Sequence, residues 1–333
     1  MIAITQGDPS GVGLEIAIKG FSPSPRRVHV GQRALYQQTA EALGLDRPLK
    51  EVSSVEHARS QPADQFLILS PNQGSRRTAD FGPIRFGQAQ PHLAQTTVDS
   101  IKLACQLAMD GVVDGIVTPP INKSVIHEAG YPFPGHTEML AAFTGVDTPV
   151  MMLVTDGLRV VPATIHIALS EVAKVLSQPL LEQVIRTTHS AMQRDFNLEK
   201  PRITVTGLNP HAGEMGAFGQ EEVAFITPLC QRLDRELTGE IRGPLPADSL
   251  FHEAARKTYD AIICMYHDQA LIPLKMLGFG HAVNTTLGLP IVRTSVDHGT
   301  AYNIAGKGIA DPSSYIEALD LAETMIANRR SSE

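Results

Sequence analysis

Apolar residues along the chain fall into two patterns that alternate. Short aliphatic and β-branched runs recur as "IAIT", "VHV", "FLIL", "GIVT", "VMMLVT", "VVPATIH", "RITVTG", "AIICMY" and "PIVRTSV". Bounded by Gly, Pro or Asp, they predict buried strands. Between many of them the apolar positions recur at helical spacing. In "DSIKLACQLAMDG" these are Ile101, Ala104, Cys105 and Ala108. "SQPLLEQVIRTTHSAM" places Ser177 as a cap and Pro179 in the first turn, with Leu181, Val184, Ile185, Thr188 and Met192 on one face. "QEEVAFITPLCQRLDREL" begins acidic and carries Val223, Ile226, Cys230, Leu233 and Leu237. Strands alternating with such helices predict an α/β fold with a largely parallel sheet. No internal repeat, low-complexity tract or tether interrupts the pattern.

Length adds room for two lobes, since the chain has 333 residues. A composition of 43% hydrophobic and 19% charged residues is that of a folded globular protein. The net charge of −7 offers no basic footprint for nucleic acid. An anionic substrate must therefore be held by local cations. Cys105, Cys230 and Cys264 are odd in number and widely spaced, which predicts neither a disulfide framework nor a thiolate zinc site and fits a reducing cytoplasm. The opening "MIAITQGDPSG" lacks the basic and apolar regions of a signal peptide. No apolar run approaches the ~20 residues of a membrane helix. The expectation is a cytoplasmic protein without membrane or nucleic-acid partners.

Candidate chemistry gathers after the strands. "VVPATIH" ends at His166, "ITVTGLNPH" at His211 and "AIICMYHD" at His267. Their spacing matches no compact metal motif, and a single histidine at a strand end reads equally as a hydrogen-bonded polar residue. In α/β sheets, however, ligands sit beyond the carboxyl ends of strands. Three imidazoles there could hold a divalent metal and leave positions open for substrate. "YPFPGHTEMLAAFTG" puts His136 and Thr137 after a Pro-Gly turn, either with Thr137 as a plain cap or with the helix N-terminus facing an anion. Lys275, Asn284 and Arg293 lie close in sequence and read as a phosphate or carboxylate clamp or as surface groups. His29, His57, His92, His127, His189, His252 and His281 lack such context and read as surface or packing residues. The glycines of "GDPSGVGLE" and "NPHAGEMGAFGQEE" fit neither the dinucleotide fingerprint nor the P-loop.

With "TQGDPSGVGLE", "TPPINKSVI", "PGHTE", "GLNPHAGE", "GPLPAD", "MYHDQ" and "LGLPIVRTSVDHGTA" in order, the sequence resembles the 4-hydroxythreonine-4-phosphate dehydrogenase (PdxA) family of vitamin B6 biosynthesis. The likeness spans most of the chain and is uninformative only from about residue 21 to 95. It implies two α/β/α lobes like those of isocitrate and isopropylmalate dehydrogenases, with a cleft between them, in a homodimer whose active site lies at the subunit interface. Lobe 1 would combine residues 1–130 and 284–333 with the cofactor loop. Lobe 2, residues 131–283, would hold the metal ligands and the dimer interface.

Carried over by motif, His166, His211 and His267 are the expected metal ligands. His136, Thr137, Lys275, Asn284 and Arg293 are the expected substrate-binding residues. Lys275 is the candidate for proton transfer, with Asp248 and Asp268 as rivals. "HGTAYNIAGKGIADP" resembles the "HGSAPDIAGKGIANP"-type segment of isopropylmalate dehydrogenase, a loop around the adenosine of NAD. On that likeness His298, Gly299, Thr300, Asn303, Ala305 and Gly306 are cofactor-binding. Asn303 stands where the isopropylmalate enzymes carry an acid on the ribose, which opens a way to NADP as well as NAD.

The family's reaction is the oxidation of 4-phosphooxy-L-threonine at C3 with decarboxylation to 3-amino-2-oxopropyl phosphate. It uses NAD and a divalent metal such as zinc, magnesium, cobalt or manganese. Relatives with similar motifs oxidise four-carbon sugar-acid phosphates of the threonate or erythronate type, or cyclic dihydrodiol dicarboxylates. Phosphate acyltransferases share the general fold, and the three strand-end histidines argue against that activity.

Overall fold

The structure, a computed structural model, describes residues 1–24, 26–71, 81–133, 135–254, 258–278 and 280–332. The chain divides into two compact units: Met1–Pro149 with Leu289–Glu323, and Val150–Gly288 with Thr324–Glu333. Among the described residues no helix is long and apolar enough to cross a membrane.

The first unit holds β1 (Ile2–Thr5), β2 (Arg27–Val30), β3 (Leu49–Val52), β4 (Phe66–Leu69), β5 (Gly115–Thr118) and, from the later segment, β12 (Val292–Val296). They pair in the order β3-β4-β2-β1-β5-β12, every pairing parallel. "IAIT", "FLIL" and "GIVT" are buried at every position, as strands covered on both faces must be. The helix Ala94–Met109 buries Ile101, Ala104, Cys105 and Ala108, the four positions its periodicity marks. They join Ala3, Val28, Val30 and Ile116 in one apolar cluster. Each large side chain buried there contributes about 1.5–3 kcal/mol. His29 on β2 is also buried, against Tyr36 and Phe66: its ring stacks on Phe66 with centroids 3.7 Å apart, and burial pushes its pKa down to about 3.

The second unit holds β6 (Val150–Thr155), β7 (Leu158–Pro162), β8 (Arg202–Thr206), β9 (Glu240–Leu245), β10 (Ala261–Cys264) and β11 (Val283–Leu287). Their order is β11-β6-β7-β10-β8-β9. Strands β7, β10, β8 and β9 pair in parallel, whereas β6 is antiparallel to both β7 and β11. The antiparallel pair follows from the two residues between β6 and β7. Asp156 (φ 43°) and Gly157 (φ 78°) take the left-handed conformations of a tight hairpin turn, which Asp-Gly favours. The helix Gln178–Arg194 buries Leu181, Val184, Ile185, Thr188 and Met192 as expected. Ser177 occupies its N-cap position, but its hydroxyl makes no capping hydrogen bond. The "QEEVAFITPLCQRLDREL" segment differs from a regular helix. A π turn, Glu222–Ile226, precedes the helix Thr227–Glu236 and changes the phase. Ile226, Cys230 and Leu233 are buried, while Val223 is 49% exposed.

Candidate functional site

In the first unit the winding reverses between β1 and β5, because the chain moves from β1 to β2 on one side and from β5 to β12 on the other. Ligands of such sheets bind beyond the carboxyl ends of the strands at this point. Residues 6–11, 119–122 and 297–310 follow β1, β5 and β12 there. Gly11 of "GDPSGVG" and Gly87 serve close packing with the later loop. A Cβ on Gly11 would stand 2.8 Å from Thr300, and one on Gly87 would stand 2.5 Å from the carbonyl of Tyr302. The Val12 N–H donates to the Thr300 carbonyl at 3.0 Å.

The loop from His298 to Ala310 is fastened to that segment at several points. The Tyr302 hydroxyl donates to Asp8 Oδ2 at 2.5 Å, and the Ser10 N–H donates to Asp8 Oδ1 at 2.9 Å. Burial raises the Asp8 carboxyl above its ordinary pKa, and burial with the Asp8 contact raises the Tyr302 phenol. The buried Glu15 accepts from the Ala310 N–H at 2.9 Å, and Lys19 Nζ donates to the Gly308 carbonyl at 3.0 Å. Gly299 has open space where a Cβ would stand, so a ligand can approach its backbone. Asn303 and Lys307 are exposed on the same loop. Neither Asp8 nor Tyr302 stood out in the sequence, where 294 residues separate them.

A second polar group in the first unit is formed by Thr118 on β5, Arg293 on β12 and His136 at the start of the helix His136–Thr144. Arg293, 2% exposed, donates to Thr118 Oγ1 through Nε at 3.1 Å and Nη2 at 2.8 Å. Burial lowers its pKa to about 10, so it remains a cation at neutral pH. His136 is held well below its ordinary pKa by burial first, then by the charges of Arg293 and Lys123. Its Nε2 is buried without a hydrogen-bond partner. Gly135 is the N-cap of the helix, so Thr137 sits inside the first turn and is not the cap. Pro134 of the expected Pro-Gly turn lies outside the described residues. Lys123 of "TPPINKSVI" is a neighbour of His136 that the sequence reading did not single out.

In the second unit the histidines follow neighbouring parallel strands: His166 after β7, His267 after β10 and His211 after β8. The strand ends are tied together. Thr164 Oγ1 donates to the Met265 carbonyl at 2.7 Å. Gln269 accepts from the Met265 N–H and the Thr206 hydroxyl, both at 2.7 Å, and donates to the Gly207 carbonyl at 2.9 Å. The structure brings His166 and His267 together with ring centroids 6.1 Å apart, in a cavity of about 260 Å³. Asp268 Oδ1 lies 2.7 Å from His267 Nδ1, which leaves Nε2 free to act as a donor to a metal.

His211 is not gathered with that pair. Its ring faces Phe218 with centroids 6.1 Å apart, and among the described residues no three His, Cys, Asp or Glu side chains stand close enough to hold one metal ion. The donor set of one chain thus fits a metal in part, through two imidazoles and the orienting carboxylate. Lys275 lies in the last turn of the helix His267–Gly278, and Asp248 is exposed in the first turn of Ala247–Ala254. Asn284 sits on β11 with a buried Oδ1 that has no hydrogen-bond partner. Exposed apolar residues border this region: Leu169 (71%), Met215 (95%) and Met276 (83%).

These features define a two-unit α/β protein with polar groups at the carboxyl ends of its strands. The profile of the family described as pyridoxal phosphate biosynthetic protein PdxA matches residues 24–322, and the chain belongs to this family. It is 49% identical to the 4-hydroxythreonine-4-phosphate dehydrogenase of Paracoccus denitrificans, over 98% of this chain and 98% of that one. A crystal structure of 4-hydroxythreonine-4-phosphate dehydrogenase from Klebsiella pneumoniae is similar with a TM-score of 0.86 at 36% identity, covering 98% of this chain and 99% of that chain. A terephthalate 1,2-cis-dihydrodiol dehydrogenase from Burkholderia xenovorans is similar with a TM-score of 0.67 at 27% identity, covering 97% of each chain.

Proposed function

We propose that this chain is a cytoplasmic, nicotinamide- and metal-dependent dehydrogenase that oxidises 4-phosphooxy-L-threonine at C3 and decarboxylates it to 3-amino-2-oxopropyl phosphate. The observation that carries the reading is the presence of His166, His267 and His211 after three neighbouring parallel strands in a chain of this family. When bound, a divalent metal on these imidazoles supplies Lewis-acid polarisation of the C3 oxygen, and NAD accepts the hydride.

The chain's own residues bind and orient. Arg293 and the N-terminus of the His136 helix hold an anionic group, with Thr137 in the first turn. His136 stays neutral and offers its unpartnered Nε2, and Asn284 offers its buried Oδ1. Asp268 fixes the His267 ring, which takes it out of the contest for the general base. Lys275 takes the C3 hydroxyl proton, with Asp248 as the alternative. With NAD bound, the C3 hydride would pass to the nicotinamide and leave a ketone; that carbonyl would accept the electron pair of the C1–C2 bond as CO2 departs, and a proton returned to C2 would complete the product. The loop from His298 to Ala310, through Gly299, Thr300, Asn303, Ala305 and Gly306, receives the adenosine of NAD. Asn303 puts no anion there to repel NADP.

The functional form on this reading is a homodimer. Apolar Leu169, Met215 and Met276, exposed beside the site residues, are suited to cover by a second copy that completes the ligand set. The likeness to a dihydrodiol dehydrogenase supports a second reading, in which Arg293 holds a substrate carboxylate in place of phosphate.

The test is NADH formation from 4-phosphooxy-L-threonine by the purified protein, with and without a chelator. Turnover abolished by the chelator and restored by a divalent metal is the expected result. Absence of turnover with this substrate, in metal-replete folded protein that oxidises a dihydrodiol dicarboxylate, would establish the second reading.

A further inference from the structure

The segment that carries His211 has an unusual backbone. His211, Ala212, Gly213, Glu214 and Met215 all lie in the left-handed region, with φ of 53°, 52°, 76°, 40° and 56°. Four of these residues have a Cβ, which that conformation crowds against the following carbonyl. A run of this kind persists only where the surroundings over-determine it.

The group that does so is a buried carboxylate outside the set assigned so far. Glu222 is 2% exposed, although it opens a helical segment at the surface of the second unit. Its Oε1 accepts from the Asn209 backbone N–H at 2.8 Å, and its Oε2 accepts from Asn209 Nδ2 at 2.9 Å. The loop closes around it from both sides. A Cβ on Gly213 would stand 2.6 Å from Oε2, and one on Gly207 would stand 3.2 Å from Oε1. Glu221 adds a further acceptor to Asn209 Nδ2 at 2.8 Å. The π turn gives one of its two buried positions to this carboxylate, the other being Ile226. Such turns are frequent at functional sites.

We propose that Glu222 is the positioning residue of the His211 loop: its carboxylate locks Asn209 and holds residues 211–215 in the left-handed turn that presents the imidazole for metal binding. The role rests on the reading of His211 as a metal ligand. It requires a side chain that only accepts hydrogen bonds, because both groups facing it are donors. Glutamine at this position would turn an N–H against Asn209, and aspartate would fall one methylene short.

The test uses the full chain stripped of metal and compares wild type with E222Q, N209A and H211A. Two quantities are read: the dissociation constant for added cobalt(II), and amide hydrogen exchange across residues 207–215 before metal is added. Loss of an outer partner of a ligand weakens metal binding about 10- to 100-fold. E222Q is expected to show that loss together with faster exchange confined to the loop, and N209A a smaller change of the same kind. Wild-type exchange in E222Q, or faster exchange with unchanged cobalt affinity, overturns the proposal. If H211A binds cobalt as tightly as wild type, the metal reading itself falls, while the exchange data still decide whether Glu222 holds the loop. If E222Q does not fold, N209A decides on the same two readouts, and wild-type behaviour there counts against the proposal.

Discussion

The two units prepare their polar groups in opposite ways. In the first, Arg293 is buried on Thr118, Asp8 is bonded to Tyr302 and Ser10, and His136 is kept neutral among cations. In the second, His166 and His211 are exposed on left-handed backbone, and their neighbours Leu169 and Met215 face outward. Local chain closes around the first group, whereas the second is left open to solvent. The difference teaches that a fold can ready polar groups in two ways: burial fixes their charge and partners, and exposure keeps them accessible.

The largest effect is expected where the second unit is opened further. On the metal reading, His267→Ala takes away one imidazole donor without touching the core, so turnover should fall about a thousandfold, the equivalent of ~4 kcal/mol of lost electrostatic stabilisation. The melting temperature should stay within a few degrees. A comparable loss of stability would mean that His267 is a structural residue.

Arg293→Lys tests the first unit. Loss of the planar fork on Thr118 should raise KM for the phosphorylated substrate 10- to 100-fold, about 1.4–3 kcal/mol, and lower the melting temperature as well. An unchanged KM would take Arg293 out of the binding site.

Acid should also discriminate between the units. His29 titrates at about 3 when folded and near 6.5 when unfolded. Between those values the unfolded chain binds the extra proton, so the stability is fully present above about pH 6.5 and falls as the pH drops. At pH 5 the loss from His29 alone is about 2 kcal/mol, at 1.36 kcal/mol per pH unit. His136, also depressed, acts in the same direction. Denaturant titrations of wild type and His29→Phe at pH 7 and pH 5 should show the pH dependence shrinking in the variant.

The smallest change is expected from Tyr302→Phe, which removes one hydrogen bond and leaves Asp8 with Ser10. About 1 kcal/mol, or a fivefold weaker affinity for NAD, should appear in calorimetry with little effect on turnover at saturating cofactor. No change in affinity would separate the latch from cofactor binding.

How far the sequence made this legible varied with the kind of interaction. "GIVT" and "VMMLVT" coincide with β5 and β6, because burial on both faces writes a continuous apolar run. Strands β3 ("LKEV") and β9 ("EIRGPL") left no such signature, being sheet-edge strands with charges or with Gly and Pro. β11 ("VNTTL") hid behind polar residues that the fold buries, Thr285 and Thr286 among them. The Asp-Gly pair at 156–157 did carry a hairpin signal, and it accounts for the antiparallel strands in a sheet expected to be largely parallel.

Histidines at strand ends could be read from local pattern, and their strands are neighbours, but within one chain only His166 and His267 come together. What the pattern did not contain was the left-handed course of residues 211–215 or the contact of Asp8 with Tyr302, since both depend on partners distant in sequence. The glycines at 7, 11 and 13 fit neither the dinucleotide fingerprint nor the P-loop. Gly11 instead lets the chain pass within packing distance of Thr300.

The position of β12 also bears on how the protein is made. Strand β5 is synthesised well before β12, its parallel neighbour, and the whole of the second unit's main segment is translated between them. At 5–20 residues per second, β5 spends on the order of ten seconds on the ribosome with one edge unpaired. Ile116 and Val117 on that strand are fully buried in the finished fold. A nascent chain of this design therefore presents a sticky template to its neighbours on the polysome. Its yield in the cell should depend on chaperone supply and on translation speed through the intervening segment more than on the stability of the final structure.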